Sequence, residues 1–208
     1  MPGTNEPKTV EICRPDSVAF GGRRGFLAGL SAVVGSVLCN TGTSEAAIFG
    51  SSKRTEIPEA WVRRFGNDVI AYGRYIDKLG LKFVDTKQVI APQLKRKGSI
   101  YNSLPPKRQW RNMRNTLIVL DTMSKYMRRG PKEIISAYRS PRYNAACPGA
   151  KRRSMHLQNN ALDIKFAYPP YTVAKVAKSL RDRGMYKGGV GRYSSFTHID
   201  TRGHNATW

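Results

Sequence analysis

The sequence is poor in cysteine, in histidine and in acidic residues. Its three cysteines, Cys13, Cys39 and Cys147, contain no C-x-x-C pair, which excludes a cysteine zinc knuckle. Their odd number also provides no complete disulfide framework. No internal repeat is present, so a chain of 208 residues suits one domain of moderate size together with a short additional segment.

The shortage of acidic residues leaves the chain strongly basic. Asp and Glu number 14 against 36 Lys and Arg, for a formal net charge of +22. Such an imbalance favours polyanionic surroundings, namely nucleic acid, anionic lipid or an acidic cell-wall polymer, and charge alone does not choose among them. The basic residues are scattered over several segments without a recognised nucleic-acid-binding motif, so we expect no specific nucleic-acid partner.

An N-terminal segment has the features of an export signal. Arg23 and Arg24 precede a run of small and apolar residues at 25–38, which is too short for a comfortable membrane span. Small residues at Ser44 and Ala46 then suit a signal peptidase. The segment 1–47 looks like a twin-arginine signal, with a membrane anchor as the alternative. It predicts a mature domain at 48–208, without a membrane span, in the periplasm or outside the cell.

Apolar periodicity and helix-terminus signals predict the secondary structure of the mature domain. Helices are expected at 57–79, 104–129 and 172–184, and the segments 81–103 and 139–153 are expected to be loops, the first with at most one short strand. Strands are expected at 133–137, 161–166, 188–193 and 196–201. Helices come first and short strands later, which favours a compact α+β domain with helices packed on a small antiparallel sheet.

Two segments near the end of the chain contain two of its three histidines. The first has the pattern S-x-H-x(6)-D, formed by Ser154, His156 and Asp163, and the second, FTHID, contains His198. Two imidazoles and one carboxylate supply three zinc ligands and leave a fourth position open, as in catalytic zinc sites. Strand alternation puts His198 and Asp200 on one face. Taken singly, each of these residues could equally be an ordinary polar group, paired for example with an arginine.

These segments resemble the zinc D-Ala-D-Ala peptidases and their wider fold group, which includes the hedgehog-like domains. The family pattern S-G-Y-R-S-P-x-x-N, S-x-H-x-x-G-x-A-x-D, G-G-x-G-x-Y and F-x-H-x-D is largely matched, in order, within residues 130–208. The matching positions are Ser136, Tyr138, Arg139, Ser140, Pro141, Asn144, Ser154, His156, Ala161, Asp163, Gly188, Gly189, Gly191, Tyr193, Phe196, His198 and Asp200, and Trp208 is similar to the closing aromatic of the family.

The resemblance implies roles for individual residues. It makes His156, Asp163 and His198 the ligands of a zinc ion. It assigns Arg139 to the peptide carbonyl or carboxylate of the substrate, a task that suits a guanidinium fork. Ser154 would steady the loop or contact substrate, and Tyr138 is a further candidate for substrate binding.

The sequence also departs from the family pattern. Asn159 stands where the family has Gly, which is tolerable in a left-handed conformation, and Ala137 replaces a common Gly. Many members place an acidic residue or a histidine two or three residues before the last ligand as general base, but Phe196 and Ser195 stand there. Asp200 is therefore the candidate general base, with Glu133 as the second choice.

The expected function is zinc-dependent hydrolysis of D-amino-acid-containing peptide bonds in bacterial peptidoglycan, by a carboxypeptidase or an endopeptidase. The expected partners are peptidoglycan stem peptides. A non-catalytic wall-binding module of the same fold is the main alternative. For residues 48–129 the sequence suggests only a contribution to the substrate groove.

Overall fold

The structure, a computed structural model, describes residues 54–208, so the predicted export signal at 1–47 lies outside the described residues. None of the helices within 54–208 combines the length and the apolar character needed to cross a membrane. Six α-helices, three short 3-10 helices and seven strands follow one another in this range.

The first predicted helix is two helices, so the prediction of one helix over 57–79 is wrong at Gly66. Helix α1 spans Glu59–Phe65 and helix α2 spans Asn67–Asp77. Gly66 between them has φ +62° and ψ −153°, a conformation that is essentially restricted to glycine and that interrupts helical geometry. The break lets α2 turn Val69, Tyr72 and Ile76 into the core while α1 buries no residue fully.

The segment predicted as a loop at 81–103 contains more structure than expected. Helix α3 spans Thr86–Ile90 and begins at an N-cap, where the Asp85 carboxylate accepts hydrogen bonds from the backbone N–H groups of Lys87 and Gln88. A 3-10 helix, Ala91–Leu94, continues it. A two-stranded antiparallel hairpin of β1 (Arg96–Lys97) and β2 (Ile100–Tyr101) follows.

Two longer helices complete the helical layer, as predicted. Helix α4 spans Trp110–Tyr126. Pro106 is extended (ψ 143°) and is followed by a 3-10 turn at Lys107–Gln109, so α4 begins later than the predicted start at residue 104. Helix α6 spans Pro170–Asp182, and a further short helix, α5 (Pro141–Ala145), lies in the predicted loop at 139–153. The apolar stripes of α4 and α6 are buried, and their fully enclosed members are Met113, Leu117, Leu120, Met123, Val173, Ala177 and Leu180.

The sheet has the strand order β3-β4-β6-β5-β7. The four predicted strands pair antiparallel, and they are β3 (Glu133–Ser136), β4 (Ala161–Lys165), β5 (Gly189–Arg192) and β6 (Thr197–Asp200). An unpredicted strand, β7 (Ala206–Thr207), adds parallel to β5. Helices α2, α4 and α6 share one apolar core with this sheet, so the predicted α+β class is confirmed.

Candidate metal centre

Three side chains from two strands and one short helix meet at the centre of the sheet. Asp163 on β4 lies directly opposite His198 on β6, so both side chains project from the same face. His156 comes from the 3-10 helix Met155–Gln158, which begins at Ser154. One ligand atom from each of the three side chains lies within 4.8 Å of the other two. The three residues that we predicted as metal ligands are therefore neighbours in space.

The atoms that face one another are two imidazole nitrogens and one carboxylate oxygen. His198 Nδ1 lies 2.8 Å from Asp163 Oδ1, and His156 Nε2 lies 3.2 Å from the same oxygen. All three residues are nearly enclosed, with exposed fractions of 2% for His156, 3% for Asp163 and 7% for His198. This is a donor set of the kind that binds zinc in catalytic sites.

The outer nitrogens of the two histidines are held by acceptors from the protein. His156 Nδ1 donates to the backbone carbonyl of Ala137 at 2.6 Å. His198 Nε2 donates to Asp200 Oδ2 at 3.0 Å. These bonds hold the outer nitrogens, so His156 Nε2 and His198 Nδ1 are the nitrogens that face the centre, and such outer bonds are the usual support for metal-binding histidines. The residues thus fit a zinc ion.

Burial and mutual charge set the protonation of the centre. Burial lowers the pKa of His156, and the attraction of Asp163 does not overcome it. Burial acts the same way on His198, but hydrogen bonds to Asp163 and Asp200 outweigh it and raise its pKa. Burial would raise the pKa of Asp163, yet the two histidines lower it, first through the charge of His156. Asp163 is therefore ionised, as a metal ligand must be.

Arg139 lies beside this centre. Its Nε donates to Ser136 Oγ at 2.7 Å and its Nη2 donates to Asp163 Oδ2 at 2.5 Å. Because a guanidinium has five N–H donors, these two bonds fix its plane and leave other N–H groups for a ligand. Arg139 and Ser154 both line the cavity at the centre. Tyr138, by contrast, is 5% exposed and does not line it.

Asp200, the candidate general base from the sequence, is fully buried. Its carboxylate accepts hydrogen bonds from the backbone N–H groups of Gly189 (3.0 Å) and Arg202 (3.2 Å). It also accepts from the Arg202 guanidinium (2.8 and 2.5 Å) and from His198. Burial would raise its pKa, but the bonds from His198, Arg202 and Gly189 outweigh burial and hold the pKa well below its usual range. Asp200 does not line the cavity.

Glu133, the second choice for a base, lies at the far end of β3. Its carboxylate is paired with Lys95 (3.3 Å) and Lys165 (4.0 Å), and it does not line the cavity. Within residues 54–208, Asp163 is the one acidic side chain that does.

A cavity of about 550 Å³ opens onto the centre. Four cationic side chains line it, namely Arg139, Lys151, Arg153 and Arg202. An aromatic wall, defined here as Tyr193, Phe196 and Trp208, lines it as well. Sequence reasoning assigned no function to Lys151, Arg153, Arg202 or this wall, because their convergence depends on how the loop at 148–155 and strands β5 to β7 fold together.

The aromatic wall is a connected unit. The Tyr193 and Phe196 rings stack with centroids 4.4 Å apart and an interplanar angle of 11°. Trp208 Nε1 donates to the Tyr193 hydroxyl at 3.0 Å, and the Trp208 ring lies 5.2 Å from the His198 ring. A Cβ added to Gly191 would come within 2.5 Å of Trp208 Nε1, so the absence of a side chain at Gly191 makes room for the indole.

A family model described as peptidase M15 matches residues 89–200, which is more than half of the chain. The chain belongs to the peptidase M15 family. The resemblance to the zinc D-Ala-D-Ala peptidases is thereby confirmed, and membership makes this M15 protein a metallopeptidase. The matched range includes Arg139, His156, Asp163, His198 and Asp200. Neither a curated protein nor a solved structure matches the chain significantly.

Proposed function

We propose that this M15 protein is a zinc-dependent peptidase that hydrolyses D-amino-acid-containing peptide bonds of bacterial peptidoglycan. Its fold is then of the D-Ala-D-Ala peptidase and hedgehog type. The observation that carries the proposal is the convergence of His156, Asp163 and His198, with the outer nitrogens of both histidines held by the protein, beneath a cavity that also presents Arg139.

The three converging residues hold the zinc ion in this proposal. When bound in such a site, zinc lowers the pKa of a coordinated water toward about 7 and polarises the scissile carbonyl. Arg139, fixed by Ser136 and Asp163, directs its remaining N–H groups to a carbonyl or carboxylate of the stem peptide. Ser154 caps the helix that contains His156 and lines the cavity next to it. Tyr138 supports the loop rather than contacting substrate.

We assign Asp200 to the orientation of His198. A general base needs an oxygen that reaches the substrate side, and both oxygens of Asp200 already accept hydrogen bonds from Gly189, His198 and Arg202. Its lowered pKa would also make it a weak proton acceptor. A carboxylate that accepts from the outer nitrogen of a metal-bound histidine raises the basicity of that ligand and fixes its ring.

The proposed setting is the bacterial cell wall. If residues 1–47 direct export, the domain works in the periplasm or outside the cell. Its net charge of +22 would hold it near anionic wall polymers and raise the local concentration of substrate. Peptidoglycan stem peptides are then its partners. The alternative is a non-catalytic wall-binding module of the same fold, and the following experiment distinguishes it from an enzyme.

The experiment measures zinc content and muropeptide release together. The full chain is loaded with zinc and incubated with purified sacculi, and the released muropeptides are identified by mass spectrometry. We expect one zinc per chain and new peptide termini at D-amino acids. His198→Ala should abolish both, since it removes one of three ligands. His204→Ala is the matched control because His204 is exposed and lies outside the cavity, and it should behave as the wild type.

Stoichiometric zinc without any released product would support the wall-binding module instead of the enzyme. Product release that survives His198→Ala would contradict the assignment of the site.

A further inference from the structure

Part of the aromatic wall lies on the same face of the sheet as the candidate metal ligands. Gly191 on β5 is paired with His198 on β6, and residues two apart on a strand share a face. Tyr193 follows Gly191 by two residues, and Phe196 precedes His198 by two. The backbone N–H of Tyr193 donates to the carbonyl of Phe196 at 3.0 Å, so the two chain segments stay paired past the ends of both strands. Tyr193 and Phe196 therefore continue the row of residues that contains His198.

Within residues 54–208, two hydroxyl side chains line the cavity at the metal centre, and they differ in their bonding. Ser154 Oγ accepts from the backbone N–H of His156 and caps the short helix that begins there. The Tyr193 hydroxyl accepts from Trp208 Nε1 at 3.0 Å. Because an indole N–H can only donate, the phenol oxygen is the acceptor and its own O–H remains free to donate. Tyr193 thus offers a neutral hydrogen-bond donor to a ligand in the cavity.

Neighbouring side chains hold this hydroxyl in place. The phenol ring of Tyr193 is stacked on Phe196, which restricts its plane. The Trp208 indole lies 5.2 Å from the His198 ring, and the Arg202 guanidinium lies over the same indole, 5.1 Å from its centre. The indole therefore connects the Tyr193 hydroxyl to a candidate metal ligand. A donor that is fixed before the reaction begins is the arrangement that stabilises charge developing in a transition state.

We propose that Tyr193 is a catalytic hydrogen-bond donor and that Trp208 positions it, an inference that rests on the proposed peptidase function. When water adds to the carbonyl carbon of the peptide bond that is cut, the carbonyl oxygen gains negative charge. The Tyr193 O–H donates a hydrogen bond to that oxygen, and its proton stays on the phenol. Because the charge is larger in the transition state than in the bound substrate, this bond lowers the barrier more than it strengthens binding. Trp208 does not touch the substrate oxygen in this arrangement and acts through the orientation of the hydroxyl.

The test combines kinetics with analogue binding on the full, zinc-loaded chain. The proteins are the wild type, Tyr193→Phe, Trp208→Phe, the double variant with both changes, and the control Tyr101→Phe. The control removes the same hydroxyl from an exposed tyrosine outside the cavity. The substrate is a soluble muropeptide that contains the bond identified by the digest of sacculi. The binding probe is the same peptide with a phosphinate group in place of that bond, because a phosphinate oxygen carries the charge that the carbonyl oxygen gains.

Tyr193→Phe should lower kcat about 10- to 100-fold and change KM less than about twofold, because the bond strengthens as the charge develops. Its affinity for the phosphinate should fall by the same factor as kcat. Trp208→Phe should lower kcat about three- to tenfold, the effect of one neutral hydrogen bond. In the Tyr193→Phe background it should lower kcat no further, because the two residues act as one unit. Tyr101→Phe should match the wild type, and zinc content and Tm should stay at the wild-type level in Tyr193→Phe.

The opposite results separate this inference from the proposed function. A higher KM with unchanged kcat in Tyr193→Phe would show that the hydroxyl only binds the substrate, and it would overturn the catalytic role. Independent losses that multiply in the double variant would overturn the positioning role of Trp208. Absence of hydrolysis by the wild type would refute the proposed function and this inference with it, whereas hydrolysis that Tyr193→Phe leaves at the wild-type rate would refute this inference alone.

Discussion

Residues 54–129 and residues 130–208 contribute to the metal centre in different ways. Every residue that lines the cavity at the centre comes from the second part. The first part supplies polar side chains behind the cavity, which bond to the backbone of the loops that contain the site residues. Residues 54–129 therefore hold the loops of the site in place, whereas residues 130–208 supply the side chains that line the cavity.

Asn102 is the clearest example of this support. It is 4% exposed, and its Nδ2 donates to the carbonyl of Tyr138 at 2.9 Å. Its Oδ1 accepts from the backbone N–H of Ser140 at 2.9 Å. These two bonds hold the backbone on either side of Arg139, so the position of the guanidinium depends on the residue that directly follows β2.

Helix α4 supports the second loop in the same manner. Thr116 Oγ1 donates to the carbonyl of Asn160 at 2.9 Å, and Asn112 Nδ2 donates to the carbonyl of Gln158 at 2.8 Å. Both bonds hold the chain between His156 and Asp163. Two of the three candidate ligands are thereby set relative to each other by a helix that does not touch the cavity.

The largest effect of a substitution on metal binding is expected at Asp200, which lies in residues 130–208. Asp200→Asn removes the negative charge that accepts from His198 Nε2, so we expect zinc affinity to fall about 10- to 100-fold. Competition with a chromophoric chelator measures it. Asp182→Asn, at an exposed carboxylate on α6, is the control. Unchanged zinc affinity with a large loss of kcat would instead favour the general-base role.

A smaller effect is expected at Asn102, in residues 54–129, and it tests whether this part acts only by positioning the loops of the site. Asn102→Ala removes both bonds around Arg139, so we expect a loss of about 2 kcal/mol in the free energy of unfolding. We also expect kcat/KM to fall about tenfold while zinc content stays at the wild-type level. Denaturant titration, kinetics and metal analysis check the three results. The exposed Asn115→Ala on the same part of the chain should change none of them, and loss of zinc in N102A would contradict a purely positioning role.

The smallest effect is expected far from the centre, at Asp77 on α2. Its carboxylate accepts from Thr55 N (2.8 Å), Thr55 Oγ1 (2.7 Å) and Thr86 Oγ1 (2.6 Å). Burial would raise its pKa, but these bonds outweigh burial and lower it. A carboxyl whose folded pKa lies below its unfolded value of about 3.9 stabilises the fold above that value and loses this contribution as pH falls.

Asp77→Asn should therefore cost about 1 kcal/mol of unfolding free energy at pH 7, a modest figure because water competes at a partly exposed carboxylate. The difference from the wild type should shrink as pH falls below about 4. Urea titrations of both proteins at matched pH values measure it, with the exposed Asp68→Asn as control. A difference that does not vary with pH would show that the charge of Asp77 is not its source.

The helices and strands with a regular apolar pattern could be predicted from the sequence, but the helix break at Gly66 and the short strand β7 could not. The stripes of α4 and α6 and the alternation of β4 and β6 reflect burial on one side, which local patterns record. The break at Gly66 depends on a backbone angle that a glycine allows but does not require. Strand β7 has two residues and exists through its pairing with β5, so its sequence has no periodicity to detect.

The candidate site shows the same division. The match to the family pattern predicted that His156, Asp163 and His198 would meet, and the opposition of β4 and β6 accounts for the proximity of Asp163 and His198. The surroundings of Asp200 depend on a turn that brings Arg202 back onto its carboxylate, which strand alternation does not reveal.

Asn159 stands where the family has a glycine, and this difference has a structural consequence. It adopts the left-handed conformation (φ 55°, ψ 41°) in which the replacement of glycine was expected to be tolerable, so the turn keeps a backbone path that a glycine could follow. Its amide also donates to the carbonyl of Gln109 at 3.0 Å, at the start of α4. A glycine would preserve the bend and release this tether. The asparagine thus anchors the turn between the two segments that contain His156 and Asp163 to the start of α4, by a hydrogen bond that a glycine, which has no side chain, could not form.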